Sequence, residues 1–135
     1  MRFMNLLMEK VSRKQDNGIS PEAFEAILLD DNVHDLLDGD GAQGFLARQL
    51  PEVLALRDFH AGFPGVHKDL WTHTQKVVQA MPASSELRWA ALLHDVGKVP
   101  TRELKEDGKV TFWHHEKVGA ELTRAIGHRL SWPEK

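Results

Sequence analysis

Six prolines divide this chain into short blocks, and inside the blocks apolar residues recur at helical rather than alternating spacing. Proline removes a backbone donor and clashes with the preceding turn, so each one starts, ends or kinks a helix. Ser20-Pro21-Glu22 reads as a helix start: a capping hydroxyl, proline at the first helical position, then an acid in the first turn. Phe24, Ile27 and Leu28 follow at helical spacing. A second helical region covers about 42–57 and restarts at Pro51, and Gly62, Pro64 and Gly65 mark a loop. From Asp69 one face carries Leu70, Thr74, Val77, Val78 and Met81, closed by Pro82. Leu87, Ala90, Ala91 and His94 share the next stripe, which Gly97 and Pro100 end. Asp107-Gly108 signals a small hairpin within 101–113, and a last helix from about His115 to Arg129 places Val118, Leu122, Ala125 and Ile126 inward before Trp132-Pro133. The expected fold class is all-α, with one small hairpin. Residues 1–19 read as a polar leader and 20–135 as a single helical domain.

Composition narrows the chemistry. With 135 residues there is room for one core. The absence of cysteine excludes disulfides, thiolate metal sites and cysteine nucleophiles. A net charge of -3 gives no support to nucleic acid as an obligate partner, although a local basic pocket remains compatible with it. No stretch is long enough to span a bilayer, and Met1–Met8 followed by Glu9, Lys10, Arg13 and Lys14 lacks the order of a secretory signal. A cytoplasmic protein without membrane partners is the expectation. Asp38-Gly39-Asp40-Gly41 opens like a calcium loop, but Ala42 stands where the next oxygen ligand belongs and the closing glutamate is missing. There is no glycine-rich phosphate loop and no serine nucleophile elbow.

The eight histidines are the informative residues. His94 continues an apolar stripe, and Asp95 follows about 100° further round the helix. A buried carboxylate is costly unless paired or bound to a metal, so the pair reads as half of a divalent-metal shell. His73, on the preceding helix, is brought beside His94 if the two helices are antiparallel neighbours. Alone it would read as a polar residue at a helix interface, and the inward His94-Asp95 pair moves the reading toward a ligand. Asp69, four residues earlier on the same face, is placed to orient the His73 ring through its other nitrogen. Lys98 follows Gly97 and suits a phosphate oxygen as a mobile point charge, with Thr101 and Arg102 extending that anion site. Arg102 reads equally well as a solvated helix-end residue. His115 faces the core by its position on the last helix, or stacks on Phe112 and Trp113 with His114. His128 suits the helix end through the dipole.

Three segments in order, Asp69-Leu-Trp-Thr-His73-Thr, Leu92-Leu-His94-Asp95-Val-Gly97-Lys98 and His114-His115-Glu116-Lys-Val-Gly119-Ala120, resemble the HD superfamily of metal-dependent phosphohydrolases. Together with Pro51-Glu-Val-Leu-Ala-Leu56, they are most similar to the HD domain of bacterial tRNA nucleotidyltransferases and its stand-alone relatives. The resemblance covers about residues 45–133. It implies an HD-type helical bundle with metal ligands at His73, His94 and Asp95, and His115 near substrate. The implied reaction is hydrolysis of a phosphomonoester or phosphodiester, often a nucleotide, by a water activated on Mn, Fe, Co, Ni, Mg or Zn, with Asp95 and Lys98 as catalytic residues and Lys98, Arg102 and His115 binding substrate. A nucleotidyltransferase head with its acidic pair is absent, so CCA addition is not inferred. The family's pattern closes with a distal aspartate on a later helix, and the sequence runs only to Lys135. The expectation is a domain without its last helices, its fourth carboxylate supplied by a partner chain, by Glu116 or by further sequence, and exposed apolar surface that favours a homo-oligomer or element exchange. A non-catalytic module that binds metal or nucleotide is the alternative function, and a bundle with purely structural histidines a third.

Overall fold

A computed structural model describes residues 18–57 and 69–133. The leader through residue 17 and the loop that carries His60 and His67 lie outside the described residues. Eight helices and one small hairpin are present among those described. They are α1 (Pro21–Leu28), α2 (Val33–Leu36), α3 (Asp40–Gln49), α4 (Pro51–Leu54), α5 (Leu70–Ala80), α6 (Ser85–Leu93), α7 (Lys98–Thr101), β1 (Glu103–Leu104), β2 (Val110–Thr111) and α8 (His115–Arg129). No helix among the described residues is long and apolar enough to cross a membrane.

Local chemistry accounts for most of the boundaries. Ser20 Oγ accepts from the Ala23 amide, and Pro21 opens α1, as the sequence predicts. Pro51 restarts the chain as α4. Ser84 caps α6. The hairpin is antiparallel with Glu103 opposite Thr111 and Leu104 opposite Val110, and Gly108 takes the left-handed turn position at φ 87°. Two boundaries differ from the sequence reading. α6 stops at Leu93, so His94 and Asp95 lie in the turn after it. Pro100 does not end a helix but sits inside α7, where a four-residue turn needs no donor from it. α2, too short for periodicity to reveal, is an addition.

The core joins α1, α3, α5 and α6. Phe24 and Phe45 stack with centroids 4.5 Å apart, and Trp89 leans on Phe24 at 5.6 Å. Trp132 meets Trp89 edge to face at 4.8 Å. The buried face of α6 is not the expected stripe. Arg88, Trp89, Ala91, Leu92 and Leu93 are buried, whereas Leu87 is 44% exposed and Ala90 and His94, both expected inward, are exposed. A large aromatic and a long basic chain, counted as surface residues by periodicity, won the interior because both found hydrogen-bond partners there: Trp89 Nε1 donates to Glu25 at 3.0 Å, and Arg88 donates only to carbonyls. On α5, likewise, Trp71 and Gln75 join Leu70, Thr74 and Val78 in the interior. On α8, Ile126 is buried, but Ala125 is exposed.

α5 is positioned by polar contacts with the α2 region. Gln75 Nε2 donates to the His34 carbonyl at 2.8 Å and to Asp38 at 2.9 Å, and Trp71 Nε1 donates to Asp38 at 2.9 Å. The carboxylate that resembled a calcium ligand is therefore a brace. Burial acts to raise the Asp38 pKa, but these two donors, together with the charges of Arg57 and His34, outweigh it and hold the group below its ordinary value. At the far end, Arg129 binds Glu52 through both guanidinium nitrogens, at 2.9 and 2.7 Å, and the Gln49 carbonyl at 2.6 Å. That contact ties the end of α8 to α3 and α4.

Two tests follow from these contacts. Arg88→Met leaves the carbonyls of Leu28, Asp30 and Met81 without their donor, and should lower stability by about 3 kcal/mol in urea unfolding. An unchanged midpoint would remove Arg88 from its structural role. The hydrogen bond from Arg129 lowers the Glu52 pKa below its ordinary 4.5, so this contribution to stability is full above that value and disappears as pH falls through the depressed one. Between neutral pH and pH 3, Glu52→Gln should accordingly show a shallower acid loss of thermal stability than wild type, and equal slopes would contradict the assignment.

Candidate metal centre

The turn after α6 faces α5. His73 projects from the second turn of α5, and the ring centroids of His73 and His94 are 5.4 Å apart at 60°. One ligand atom from each of His73, His94 and Asp95 lies within 4.8 Å of the others, the set expected from the sequence. Asp95 is 4% exposed. Its Oδ2 stands 3.1 Å from His94 Nε2 and 3.8 Å from His73 Nε2. Its Oδ1 stands 3.3 Å from Lys98 Nζ.

The protonation of His94 follows from its neighbours. Nδ1 is 2.5 Å from the Ala91 carbonyl, which can only accept, so Nδ1 carries the hydrogen. In the neutral ring, Nε2 then presents a lone pair to the Asp95 carboxylate, and the buried Oδ2 has no hydrogen-bond donor. Two electron-rich atoms facing each other at 3.1 Å require a cation between or upon them. A proton on Nε2 answers this, and the His94 pKa is accordingly raised, by Asp95 first and against burial. For Asp95, burial acts to raise the pKa, and the hydrogen bond and charge of His94 together with Lys98 overcome it and lower the group to about 2. A divalent ion answers the same need with two charges, and metal–nitrogen and metal–oxygen bonds of about 2.1 Å put neighbouring ligand atoms roughly 3 Å apart, near the separation of His94 and Asp95. The orphaned oxygen, the fixed tautomer and the oxygen-and-nitrogen donor set fit a divalent metal.

The remaining candidates are distributed around this group. Lys98, at the start of α7, lies with its ammonium 5.7 Å from the Phe112 ring centre as well as beside Asp95. Arg102 follows α7 and is half-buried. His115 is outside the three-residue group, and its Nδ1 points to the Phe112 carbonyl at 3.1 Å. Asp69 caps α5: one oxygen accepts from the Trp71 and Thr72 amides, and the other takes the Thr72 hydroxyl at 2.7 Å. The capping role was not read from the sequence, although an aspartate before an apolar run is its usual signal. Glu116, considered as an alternative acid, has an 80% exposed side chain. With His94, Trp89, Ala90, Leu93 and Trp132 it lines an open apolar groove of about 780 Å³ between α6 and α8.

Gly97 holds this arrangement together for a reason unlike the expected one. Its backbone is ordinary right-handed, φ -71°. A Cβ there would fall 2.1 Å from the His115 carbonyl oxygen and 2.7 Å from the Gly119 nitrogen, both backbone atoms that cannot swing aside. The turn bearing Asp95 is thus pressed directly on α8. A glycine within a helix costs roughly 1 kcal/mol, so Gly119 in the middle of α8 was itself a sign of close approach. Gly97→Ala should therefore cost about 2 kcal/mol or more and move α7 from α8. Gly119→Ala, whose added carbon would meet Gly97 at an ordinary 3.5 Å, should be tolerated. Thermal melts of both variants check this, and equal effects would refute the contact.

Comparison with known proteins bears on the same stretch of the chain. Residues 70–134 match the family model described as the HD domain. The CC-adding tRNA nucleotidyltransferase of Thermus thermophilus is 40% identical over 99 residues, covering 68% of this chain and 22% of that protein. The A-adding tRNA nucleotidyltransferase of Deinococcus radiodurans is 37% identical over 123 residues, covering 76% and 27%. The multifunctional CCA protein of Pseudomonas fluorescens is 36% identical over 100 residues, covering 68% and 23%. The chain spans about a quarter of the length of these relatives. No solved structure gives a significant match. The matched stretch is the one that carries His73, His94 and Asp95, and over it this chain is similar to the HD domain.

Proposed function

We propose that this domain is a metal-dependent phosphohydrolase that cleaves a phosphomonoester or phosphodiester, with a nucleotide as the substrate class. The observation that carries the reading is the division of labour at Asp95: one oxygen faces two imidazole nitrogens and the other faces an ammonium. His73, His94 and Asp95 would hold the ion. A histidine-rich set leans away from Mg alone and toward Mn, Fe, Co, Ni or Zn. A bound divalent ion supplies a water of lowered pKa and a positive charge for a phosphoryl oxygen. Asp95 stays ionised through the neutral range and can orient that water. Lys98, partly neutralised by Asp95, can turn its ammonium to a phosphate oxygen while Phe112 keeps one side of it dry. Arg102 and His115 would extend the anion site, and Asp69 would orient the His73 ring through its other nitrogen. The nucleotide class draws support from relatives named for adding nucleotides to tRNA, whose full length this chain does not cover. A second reading, a binding module without turnover, is favoured by the number of ligands, since the group holds three side chains among the described residues.

One paired experiment separates metal from phosphate. His94→Ala should abolish stoichiometric metal by elemental analysis and, with it, hydrolysis of nucleotide phosphoesters. Lys98→Ala should retain the metal and weaken inorganic phosphate binding about tenfold, as expected for loss of a charge-assisted contact. Full metal in His94→Ala would sink the ligand assignment. Wild type that binds metal and phosphate without hydrolysis would decide for the binding module.

A further inference from the structure

Trp113 is the most exposed large hydrophobic side chain among the described residues, at 66%. Leaving an indole in water forgoes the burial that tryptophan ordinarily gains, so a face held outside invites a ligand. The ring is not stacked on its neighbour: its contact with His114 is tilted by 53°, with centroids 6.4 Å apart. His114 is left-handed, φ 65°, a conformation that a non-glycine residue adopts only at a cost. That turn separates an outward Trp113 from His115, which begins α8 half-buried.

The indole borders a hollow of about 520 Å³ whose other walls are Thr111, Phe112, His114, His115 and Glu116. Thr111 contributes a buried hydroxyl oxygen that has no hydrogen-bond partner. That oxygen is covered by the wall, so the face the hollow offers a ligand is the indole. The hollow also shares a wall with the metal centre, because Phe112 faces Lys98 Nζ at 5.7 Å and Lys98 pairs with Asp95 at 3.3 Å. A ligand that suits both ends has an anionic group for Lys98 and a flat ring for Trp113.

We propose that Trp113 is the stacking face of a base-binding subsite, in which the hollow between the hairpin and α8 holds the nucleobase of a nucleotide whose phosphate lies at Lys98. The phosphate end rests on the function proposed above, and the base end stands on Trp113 and the hollow alone. Stacking of a base on an aromatic side chain is sequence-tolerant, because every base has a π-face, so this subsite would accept purines and pyrimidines alike.

The test uses the full chain with three probes: adenosine 5′-monophosphate, ribose 5-phosphate and adenosine. Wild type should bind the nucleotide about tenfold more tightly than ribose 5-phosphate, which lacks only the base. Trp113→Ala should erase that preference, leave ribose 5-phosphate affinity unchanged and melt at the wild-type temperature. Trp113→Phe should keep part of the preference. Adenosine alone should quench the fluorescence of wild type and not that of Trp113→Phe. Equal affinity of wild type for the two phosphates, or a preference that survives in Trp113→Ala, would overturn the proposal. If adenosine quenches through Trp113 while neither phosphate binds, the base subsite stands and the phosphohydrolase reading fails.

Discussion

A single buried guanidinium fixes the relation of three helices. Arg88, 4% exposed on α6, donates to the carbonyls of Leu28 and Asp30 at the end of α1 and to Met81 at the end of α5. Helix C-termini carry unsatisfied carbonyls and the negative end of the macrodipole. Desolvating an arginine is expensive, and these converging acceptors are what offset it. The geometry of the site depends on the result. His73 and Asp95 belong to α5 and to the turn after α6, so their separation is set by how those two helices pack, and Arg88 bridges them from the end remote from the turn.

At the site, the decisive property is the shortage of positive charge around Asp95. Lys98 satisfies one oxygen, and the other faces nitrogens whose protonation is contested. The Ala91 carbonyl takes the one hydrogen a neutral His94 has to give. The backbone of α6 thereby leaves the other ring nitrogen free to act as a ligand, much as a carboxylate or carbonyl orients a metal-bound histidine elsewhere. The same ring lines the apolar groove toward α8, so the metal group is part of the wall of a larger open surface.

The sequence disclosed the chemistry more readily than the packing. The grouping of His73, His94 and Asp95 was legible because polar residues in an apolar context break a pattern, and their motifs have an order that random histidines lack. Pro21, Pro51 and Asp107-Gly108 were legible because their effects are local. The interior face of α6 was misread. Periodicity counts arginine as surface and cannot know that carbonyls sixty residues earlier will receive it. Gly97 was read as a breaker, yet its role depends on the backbone of α8 arriving against it, a tertiary fact. Gln75 and Asp38 escaped for the same reason, each being polar in isolation and satisfied only by tertiary partners, one another among them. Trp113 counted only as a surface, with Phe112, on which His114 and His115 could stack, because its exposure depends on how the hairpin meets α8.

The placement of the metal group within one helical hairpin bears on the order in which the molecule assembles. His73, His94 and Asp95 all come from α5 and the turn after α6, joined by a short connection, so closing that loop costs little chain entropy. The clamp that Arg88 makes on α1 spans sixty residues and closes later on the same argument. An ion present during synthesis would meet its ligands in the first stable pair of helices, before the amino-terminal half is docked. Metal would then act on the rate of folding as well as on its endpoint, as a nucleus around which the rest of the chain condenses.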